Sequence, residues 1–539
     1  MQPRPNRRTV HLCVSPSQVL ALAIASAVTV AFLSLSVVHR NGKPSNATGN
    51  ISKQNFLQRS PGVDNDPPPA AKRPAGLKDS ASIKERSSTP SEKFPSDVVN
   101  SDVAVAARTA QETSDIPFHF VVSSDCSSYQ RWQVLTQIQS ARSVEQHGKY
   151  TWIVSGCPDL NSYVDNGPAV DPDLVSSEII KKDVADHFGP RERGSVISYS
   201  SSVMVDVPNV HFSPDYSDMS LYGGLYADGK VKRTFVGKNG KTQYGNYGNK
   251  YKFNNKPNGL RHWSDVHFKN QPFYDELIVL IDPDFLFLAT FDLPADLTVT
   301  PGQPAAAKYG LGAQWLDFNR TAICGEGSPC MQTTLRDVRK HYAAGPPYVI
   351  HSQDVLRLAT FWSSFVPPIY DQYPLLYAEM YAYSAAAAHL ELPHSLINGL
   401  YTGCMIQWPS DIDTKQKSAL KASADRFKDS IVANTANDDG ASSCFLAPYR
   451  PPPLLHLCSR YEMRVGKANS SEKTYFFKKR KVDHSILDCE NDGFWPFLDE
   501  EIKVKAETGN EEWNALAICT MLRAINYARV QHCGSAGDV

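Results

Sequence analysis

Two carboxylates stand where an apolar run ends, and their position suits them to chemistry. The stretch LIVLIDPDFLFL begins with five aliphatic residues, Leu277–Ile281, which predict a strand buried on both faces, as in a parallel sheet. Asp282 and Asp284 follow on either side of Pro283, which stiffens the turn. At the carboxyl end of such a strand, two acids can share a hard divalent cation that screens a diphosphate. The same D-P-D triplet also forms ordinary turns, so its spacing alone leaves both interpretations open.

A second group of polar side chains follows another predicted strand. The patterns predict a strand over Pro117–Asp125, a helix packed on a sheet over Tyr129–Tyr150 and a further strand over Tyr150–Gly156. This β-α-β start indicates an α/β fold with Ser124 and Asp125 at a strand's carboxyl end, where a nucleotide base and ribose usually bind. The alternative is an N-cap role in a plain strand-to-helix turn.

The N-terminal region is predicted to anchor the chain in a membrane. Residues 19–38 form a run of about 20 apolar or small residues without a charge, enough to span the hydrocarbon core. This length favours an uncleaved signal-anchor, with a cleaved signal peptide as the alternative. Residues 1–18 are then a cytosolic tail, although basic residues on both sides make that orientation only mildly favoured. Residues 39–115, rich in Pro, Ser, Lys, Asp and Asn, predict a disordered lumenal stem before a folded catalytic domain over 116–539.

Charge and cysteine content narrow the class of protein. With 55 basic and 56 acidic residues the chain is nearly neutral, so nucleic acid is not an expected partner. Of the eleven cysteines, all but Cys13 follow the predicted anchor, and their even number suits disulfides in an oxidising compartment. Cys324 and Cys330 enclose a short loop and are expected to pair. Glycosylation triplets on the same predicted lumenal side begin at Asn46, Asn50, Asn319 and Asn469.

Seven stretches carry a family resemblance, namely FHFVVSSDCSSYQRWQ (Phe118 to Gln133), VHFSPDYS (Val210 to Ser217), YKFNNKPNGLRHW (Tyr251 to Trp263), LIDPDFLFL, GPPYVIHSQDVLRLATFW (Gly345 to Trp362), EMYAYSAAAAHLELPH (Glu379 to His394) and PPLLHLCSRY (Pro452 to Tyr461). As an ordered set they resemble the plant and algal Golgi enzymes that comprise hydroxyproline O-arabinosyltransferases and peptidyl-serine α-galactosyltransferases. The resemblance implies a GT-A-like nucleotide-sugar-binding fold, a UDP-sugar donor and a protein hydroxyl as acceptor. It also implies a manganese-dependent transfer with retention of anomeric configuration.

The same resemblance implies roles for particular residues. The family's metal motif falls on Asp282 and Asp284, and His456 in LLHLCSRY matches a position where GT-A enzymes commonly supply a third metal ligand. Without the resemblance, a histidine after an apolar run is more often a hydrogen-bonded core residue than a metal ligand. Asn255 and Lys256 match an N-K-P stretch in which the lysine can pair with donor phosphates.

Further roles concern the reacting carbon and the leaving group. Glu379, in an Ala-rich stretch that predicts a helix, is our candidate for the acidic or amide group near the reacting carbon of a retaining GT-A site. The alternative is a surface helix glutamate. Lys478 and Lys479 offer a second cation for the leaving diphosphate, although K-K-R-K is usually a solvent-exposed face. Asp354 is expected to cap the helix that begins DVLRLATFW, and Asn510–Arg529 is predicted to be a structural helix.

Two classes of function are consistent with these patterns. The first is a Golgi glycosyltransferase of type II topology, which transfers a sugar from a UDP-sugar to a secretory protein or peptide. Arabinose transfer to hydroxyproline is preferred from the resemblance alone, and α-galactose transfer to serine is the alternative. The second class is a non-catalytic lumenal scaffold of the same fold. Asp282, Asp284 and His456 favour the enzyme, because a scaffold has no use for three metal-type ligands.

Overall fold

The computed structural model of the chain describes residues 116–160, 174–188, 208–222, 234–236, 242–244, 249–269, 275–403, 413–432, 444, 449–457, 460–465, 473–482, 486–487, 489, 498–501 and 511–533. The predicted tail, anchor and stem (1–115) and the triplet at Asn469 lie outside the described residues. Within those residues, no helix combines the length and apolar character needed to cross a membrane.

The β-α-β start predicted from the sequence is confirmed. Strand β1 (Phe118–Asp125) leads into helix α1 (Ser128–Ser143), which returns to strand β2 (Lys149–Ser155). The other strands are β3 (Asn209–Ser213), β4 (Thr234–Val236), β5 (Thr242–Tyr244), β6 (Leu277–Ile281), β7 (Phe285–Phe287), β8 (Ala305–Lys308), β9 (Ala344–His351), β10 (Ser395–Ile397), β11 (Tyr401–Thr402), β12 (Leu454–His456), β13 (Arg460–Val465), β14 (Lys473–Lys478) and β15 (Leu498–Glu501).

Helices connect and cover these strands. The remaining α-helices are α2 (Ser177–Phe188), α3 (Asn255–Lys269), α4 (Arg320–Cys324), α5 (Pro329–Gln332), α6 (Leu335–Asp337), α7 (Ser352–Gln372), α8 (Ala378–His389), α9 (Thr414–Val432) and α10 (Glu511–Cys533). Short 3-10 helices cover Met219–Tyr222, Lys252–Asn254, Gln314–Asp317 and Lys479–Lys481, and a π-helix covers Val338–Tyr342.

Seven strands form a central mixed sheet in the order β10-β8-β9-β6-β1-β2-β3. Strands β6, β1, β2 and β3 are parallel to one another, so their carboxyl ends meet at one edge. Strand β9 runs antiparallel to β6 and β8. The α/β class is therefore confirmed. The sequence prediction of a parallel environment for β6 holds on its β1 side and is wrong on its β9 side, because burial on both faces does not report the direction of a neighbour.

The sheet separates two hydrophobic cores. Successive side chains of a strand point to opposite faces, so Phe120 and Val122 enter one core and Val121 enters the other. Helices α1, α2, α9 and α10 contribute to the first core, whereas α3, α7 and α8 build the second. All five residues of β6 are buried, as the aliphatic run predicts. The C-terminal structural helix is also confirmed, since α10 buries Trp513 and Leu516.

The expected cap of helix α7 is wrong. The helix begins at Ser352, and the side chain of His351 caps it by accepting a hydrogen bond from the Gln353 backbone N–H at 3.3 Å. Asp354 lies inside the first turn, where its Oδ2 accepts a hydrogen bond from the Gly302 backbone N–H at 2.7 Å. The Asp354 carboxylate therefore binds the backbone of the loop at Gly302, and it does not cap the helix end as the local pattern predicts.

Four disulfides connect the described cysteines. The expected Cys324–Cys330 pair is present, and the others are Cys126–Cys157, Cys444–Cys519 and Cys489–Cys533. The first of these fixes the end of β1 to the end of β2, next to the carboxyl edge of the sheet. Disulfides of this kind form and persist in oxidising compartments.

Candidate functional site

The turn that follows β6 is fixed by contacts from two sides. The side chain of Gln137 in α1 donates to the backbone carbonyl of Asp282 at 2.7 Å. The backbone N–H of Leu457, just after β12, donates to the carbonyl of Asp284 at 2.6 Å. Strand β12 also pairs with β7, which brings His456 opposite Phe285. The chain thus holds both aspartates at the carboxyl edge of the sheet through backbone atoms, and their carboxylates contact side chains from other elements.

A largely buried lysine lies between the first aspartate and a glutamate. Lys256, in the first turn of α3, places its Nζ 2.7 Å from Oδ1 of Asp282 and 3.2 Å from Oε1 of Glu379. Glu379 lies in the first turn of α8 with its side chain 4% exposed, so the alternative of a surface glutamate is wrong. The rings of Tyr348 and Trp362 lie 5.7 and 5.6 Å from Nζ and line the lysine's apolar surroundings.

Burial and charge oppose each other at this lysine and glutamate. Burial raises the pKa of Glu379 to about 7, and the nearby cation of Lys256 only partly opposes it. For Lys256, burial acts to lower the pKa, but Asp282 and Glu379 outweigh it and hold the pKa above its ordinary value. Near neutral pH the lysine is therefore charged, while the glutamate is close to the midpoint of its titration.

The second aspartate has its own pair of nitrogen partners. Lys479 Nζ forms a short ion pair with Oδ2 of Asp284 and also donates to the Leu457 carbonyl at 2.8 Å. Nε2 of His456 lies 3.3 Å from the same Oδ2, and its ring stacks on Phe285. Burial acts to raise the pKa of Asp284, but Lys479 and His456 outweigh it and hold the pKa far below its usual range. Asp284 is therefore a carboxylate at neutral pH.

A group of aromatic side chains packs together beside Asp282 and Asp284. Tyr309 stacks on Tyr401, which in turn meets the rings of Phe285 and His456 edge-on. The Tyr309 ring lies directly over Gly345, where an added Cβ would come within 2.5 Å of the ring. Burial, together with Tyr401 and Asp282, raises the pKa of the Tyr309 hydroxyl, so it stays neutral. This aromatic group places ring faces and tyrosine hydroxyls next to the ion pairs of Asp282 and Asp284.

The predicted donor-binding residues of β1 lie at the same sheet edge. Oγ of Ser124 is buried and accepts a hydrogen bond from Trp152 Nε1 at 2.8 Å. Asp125 Oδ1 accepts from the Ser127 backbone N–H at 3.1 Å, and Oδ2 lies 3.4 Å from Nζ of Lys252. The N-cap of α1 is Ser127, so the N-cap alternative fails for both predicted residues.

Asn255 and Lys478 differ in their surroundings. Asn255 begins α3, and its side chain accepts from the Tyr216 backbone N–H at 2.6 Å and donates to Asp215 at 3.1 Å. It therefore holds the loop after β3 against the start of α3. Lys478 ends β14, and it is the next residue, Lys479, that contacts Asp284.

Sequence reasoning missed two residues that shape this site. Gln137 orients the Asp282 turn, and Tyr348 packs against the Lys256 ammonium. Gln137 could have been found, because it lies in a polar run on a helix that was predicted to pack against a sheet. A glutamine buried in such a helix needs a hydrogen-bond partner. Nothing local distinguished Tyr348 from the apolar residues around it.

No protein-family model matches this chain, and no curated protein matches it. Among solved structures, the galactosyltransferase LgtC in complex with donor and acceptor sugar analogs is similar with a TM-score of 0.28 and 9% identity, covering 63% of this chain and 87% of that chain. The apo form of mouse xyloside xylosyltransferase 1 has a TM-score of 0.27 and 8% identity, covering 63% and 97%. Similarities this low do not establish a shared fold.

Proposed function

We propose that this chain is a glycosyltransferase of GT-A-like fold that transfers a sugar from a UDP-sugar to a hydroxyl of a secretory protein or peptide. The observation that carries the proposal is the charged cluster at the carboxyl edge of the sheet. There, Lys256 joins Asp282 to the buried Glu379, and Lys479 and His456 meet Asp284. Ion pairs that are largely shielded from solvent are costly to assemble, so this concentration of charge supports a functional role more than a stabilising one.

The cluster suits a diphosphate with a divalent cation. Lys256 engages Oδ1 of Asp282, and Lys479 engages Oδ2 of Asp284. We propose that the other oxygen of each carboxylate binds the metal. Two carboxylates and the imidazole of His456 are donors that manganese accepts. A bound manganese ion supplies positive charge that stabilises a leaving diphosphate. We propose that Lys256 and Lys479 contact that diphosphate, and Ser124, Asp125, Asn255 and Lys478 are retained as proposed donor-binding residues.

Glu379 is the residue we propose to act beside the reacting carbon. Its carboxylate is buried next to Lys256, and burial raises its pKa to about 7. As a carboxylate it stabilises positive charge that develops at the sugar carbon, and Lys256 keeps it oriented. This role agrees with transfer that retains anomeric configuration, which the family resemblance implies.

The sugar and acceptor are proposed from the resemblance alone. We favour arabinose transfer to hydroxyproline, and the assay that tests this choice offers the purified chain UDP-arabinofuranose or UDP-galactose with manganese. Peptides containing either hydroxyproline or serine serve as acceptors. Galactose transfer to serine would replace our choice with the alternative enzyme. Absence of both transfer and UDP binding would contradict the enzyme and support a scaffold.

In the same assay, Asp284→Asn is expected to abolish metal-dependent UDP binding and transfer. The substitution removes the charge that pairs with Lys479 and His456, and with it one proposed metal ligand. The matched control is Asp296→Asn, which changes an exposed aspartate on the segment after β7 and is expected to leave both readouts unchanged. Equal manganese and UDP affinity in Asp284→Asn and the unaltered chain would contradict the metal assignment.

The proposed location is the Golgi membrane, with type II topology and the folded domain in the lumen. Four disulfides among the described residues support an oxidising compartment. The anchor itself is proposed from the sequence of residues 19–38. Protease treatment of intact microsomes is expected to spare the folded domain until detergent is added. Digestion without detergent would contradict this topology.

A further inference from the structure

A second cluster of ligand-type side chains lies at the amino edge of the sheet, away from the turn after β6. It contains His119 near the start of β1, Glu276 immediately before β6 and His267 in the last turn of α3. The three ligand atoms lie within 4.8 Å of one another. We propose that His119, His267 and Glu276 bind a zinc ion, at a site separate from the proposed sugar-transfer site.

The spacing of these atoms matches tetrahedral coordination. Oε1 of Glu276 lies 3.4 Å from Nδ1 of His119 and 3.5 Å from Nε2 of His267. In tetrahedral zinc sites with bonds of about 2.0–2.1 Å, neighbouring ligand atoms stand roughly 3.4 Å apart. Charge-assisted hydrogen bonds are shorter, about 2.7–2.9 Å, so both imidazoles stand too far from the carboxylate to be explained as strong hydrogen bonds.

Glu276 also forms a short ion pair with Lys149. Lys149 Nζ lies 2.7 Å from Oε2 of Glu276, whereas the histidine contacts are to Oε1. The two oxygens therefore differ: Oε2 has a short ion pair, whereas the partners of Oε1 among the described residues are the two ring nitrogens at 3.4 and 3.5 Å. Nε2 of His267 is buried and makes no hydrogen bond to the described residues. A cation between Oε1 and the rings satisfies all three atoms.

The second nitrogen of His119 supports the same arrangement. Nε2 of His119 lies 2.8 Å from the hydroxyl of Thr151. When Nε2 donates to that hydroxyl, the lone pair of Nδ1 faces Oε1 of Glu276, and two acceptors then oppose each other unless a cation lies between them. A metal-bound histidine characteristically donates its other N–H to an oxygen in this way.

The types of the three ligands favour zinc, and their positions in the fold suggest what the ion would do. Two imidazoles and one carboxylate oxygen are usual zinc donors, and zinc sites with three protein ligands take a water molecule in the fourth position. The ion would connect β1, the start of β6 and the end of α3. Helix α3 carries Lys256 at its other end, so a zinc ion here would fix the helix against the sheet.

Metal analysis of the full chain tests this proposal. The chain, produced with zinc in the medium and purified without chelator, is expected to retain one zinc ion by elemental mass spectrometry. His267→Ala and Glu276→Gln are expected to lose it. His262→Ala, a histidine on the same helix that pairs with His211, and Asp284→Asn at the other site are expected to keep it. Equal zinc content in all five proteins, or zinc absent from the unaltered chain and not taken up on titration, would overturn the proposal.

Cobalt substitution keeps the test independent of how well the variants fold. After chelation and dialysis, the unaltered chain is titrated with Co²⁺ alone and its visible absorption is recorded. Intense tetrahedral bands are expected at one equivalent, and later addition of Zn²⁺ should remove them. Weak bands typical of six-coordinate cobalt, or no change in the spectrum, would contradict a tetrahedral His-His-Glu site.

Discussion

Replacing Glu379 by glutamine is expected to lower kcat about 100-fold to 1000-fold, the usual effect of losing one preorganised electrostatic group. The amide keeps the shape of the side chain but lacks the charge that we propose stabilises the reacting carbon. Lys256 retains its 2.7 Å contact with Asp282 in this variant, so the diphosphate-binding cations stay in place. UDP-sugar affinity is therefore expected to change little. Steady-state kinetics together with calorimetric titration of UDP-sugar separates the two effects.

The matched control is Glu326→Gln, which removes the charge of an exposed glutamate in the loop between Cys324 and Cys330. Its kcat and its UDP-sugar affinity are expected to equal those of the unaltered chain. If Glu379→Gln weakened donor binding as much as it lowered turnover, the glutamate would belong to the donor-binding site. Unchanged turnover would remove Glu379 from the reaction altogether.

Replacing Lys256 by methionine is expected to lower the free energy of unfolding by about 1–3 kcal/mol, as when a buried polar group loses its partner, because Glu379 takes up a proton once its cation is gone. The substitution leaves Glu379, with its side chain 4% exposed, without its cation, and deprives Asp282 of a partner at 2.7 Å. Methionine fills a similar volume between Tyr348 and Trp362, so the loss should be electrostatic. Chemical denaturation monitored by tryptophan fluorescence measures it.

Lys252→Met provides the comparison for this loss. Lys252 precedes Lys256 by one helical turn, but its side chain is 46% exposed and lies 3.4 Å from Asp125. Its replacement is expected to change the unfolding free energy by less than about 1 kcal/mol. Adding Glu379→Gln to Lys256→Met should recover part of the lost stability near neutral pH, because a glutamine does not have to take up a proton on folding as a buried Glu379 does. Equal stability of the two single lysine variants would show that the buried pairs contribute nothing.

The elements that carry the site were readable because their signals are local. The aliphatic run of β6 predicts a strand buried on both faces, and the β-α-β start is set by the change from period two to period 3.6. Both predictions are confirmed. The direction of β9 beside β6 was not readable, since an apolar strand packs equally well against a parallel or an antiparallel neighbour.

The capping of α7 shows a second limit. Asp354 had the residue type of a cap, but His351 takes that place and the aspartate binds the Gly302 backbone. The local sequence indicates which residues are able to cap a helix end. It does not show which distant N–H group arrives to compete for the same carboxylate.

The sequence by itself determined the α/β class, the strand that ends at Asp282 and the presence of ligand-type side chains. Only the tertiary structure decided which of them meet. Lys479 and Asp284 are separated by 195 positions, yet they form an ion pair because β12 pairs with β7 and the chain after β14 returns to the same edge. It also decided that Glu379 is buried, and burial sets its titration near neutrality. Pairing and desolvation depend on distances between remote segments, which a local pattern does not encode.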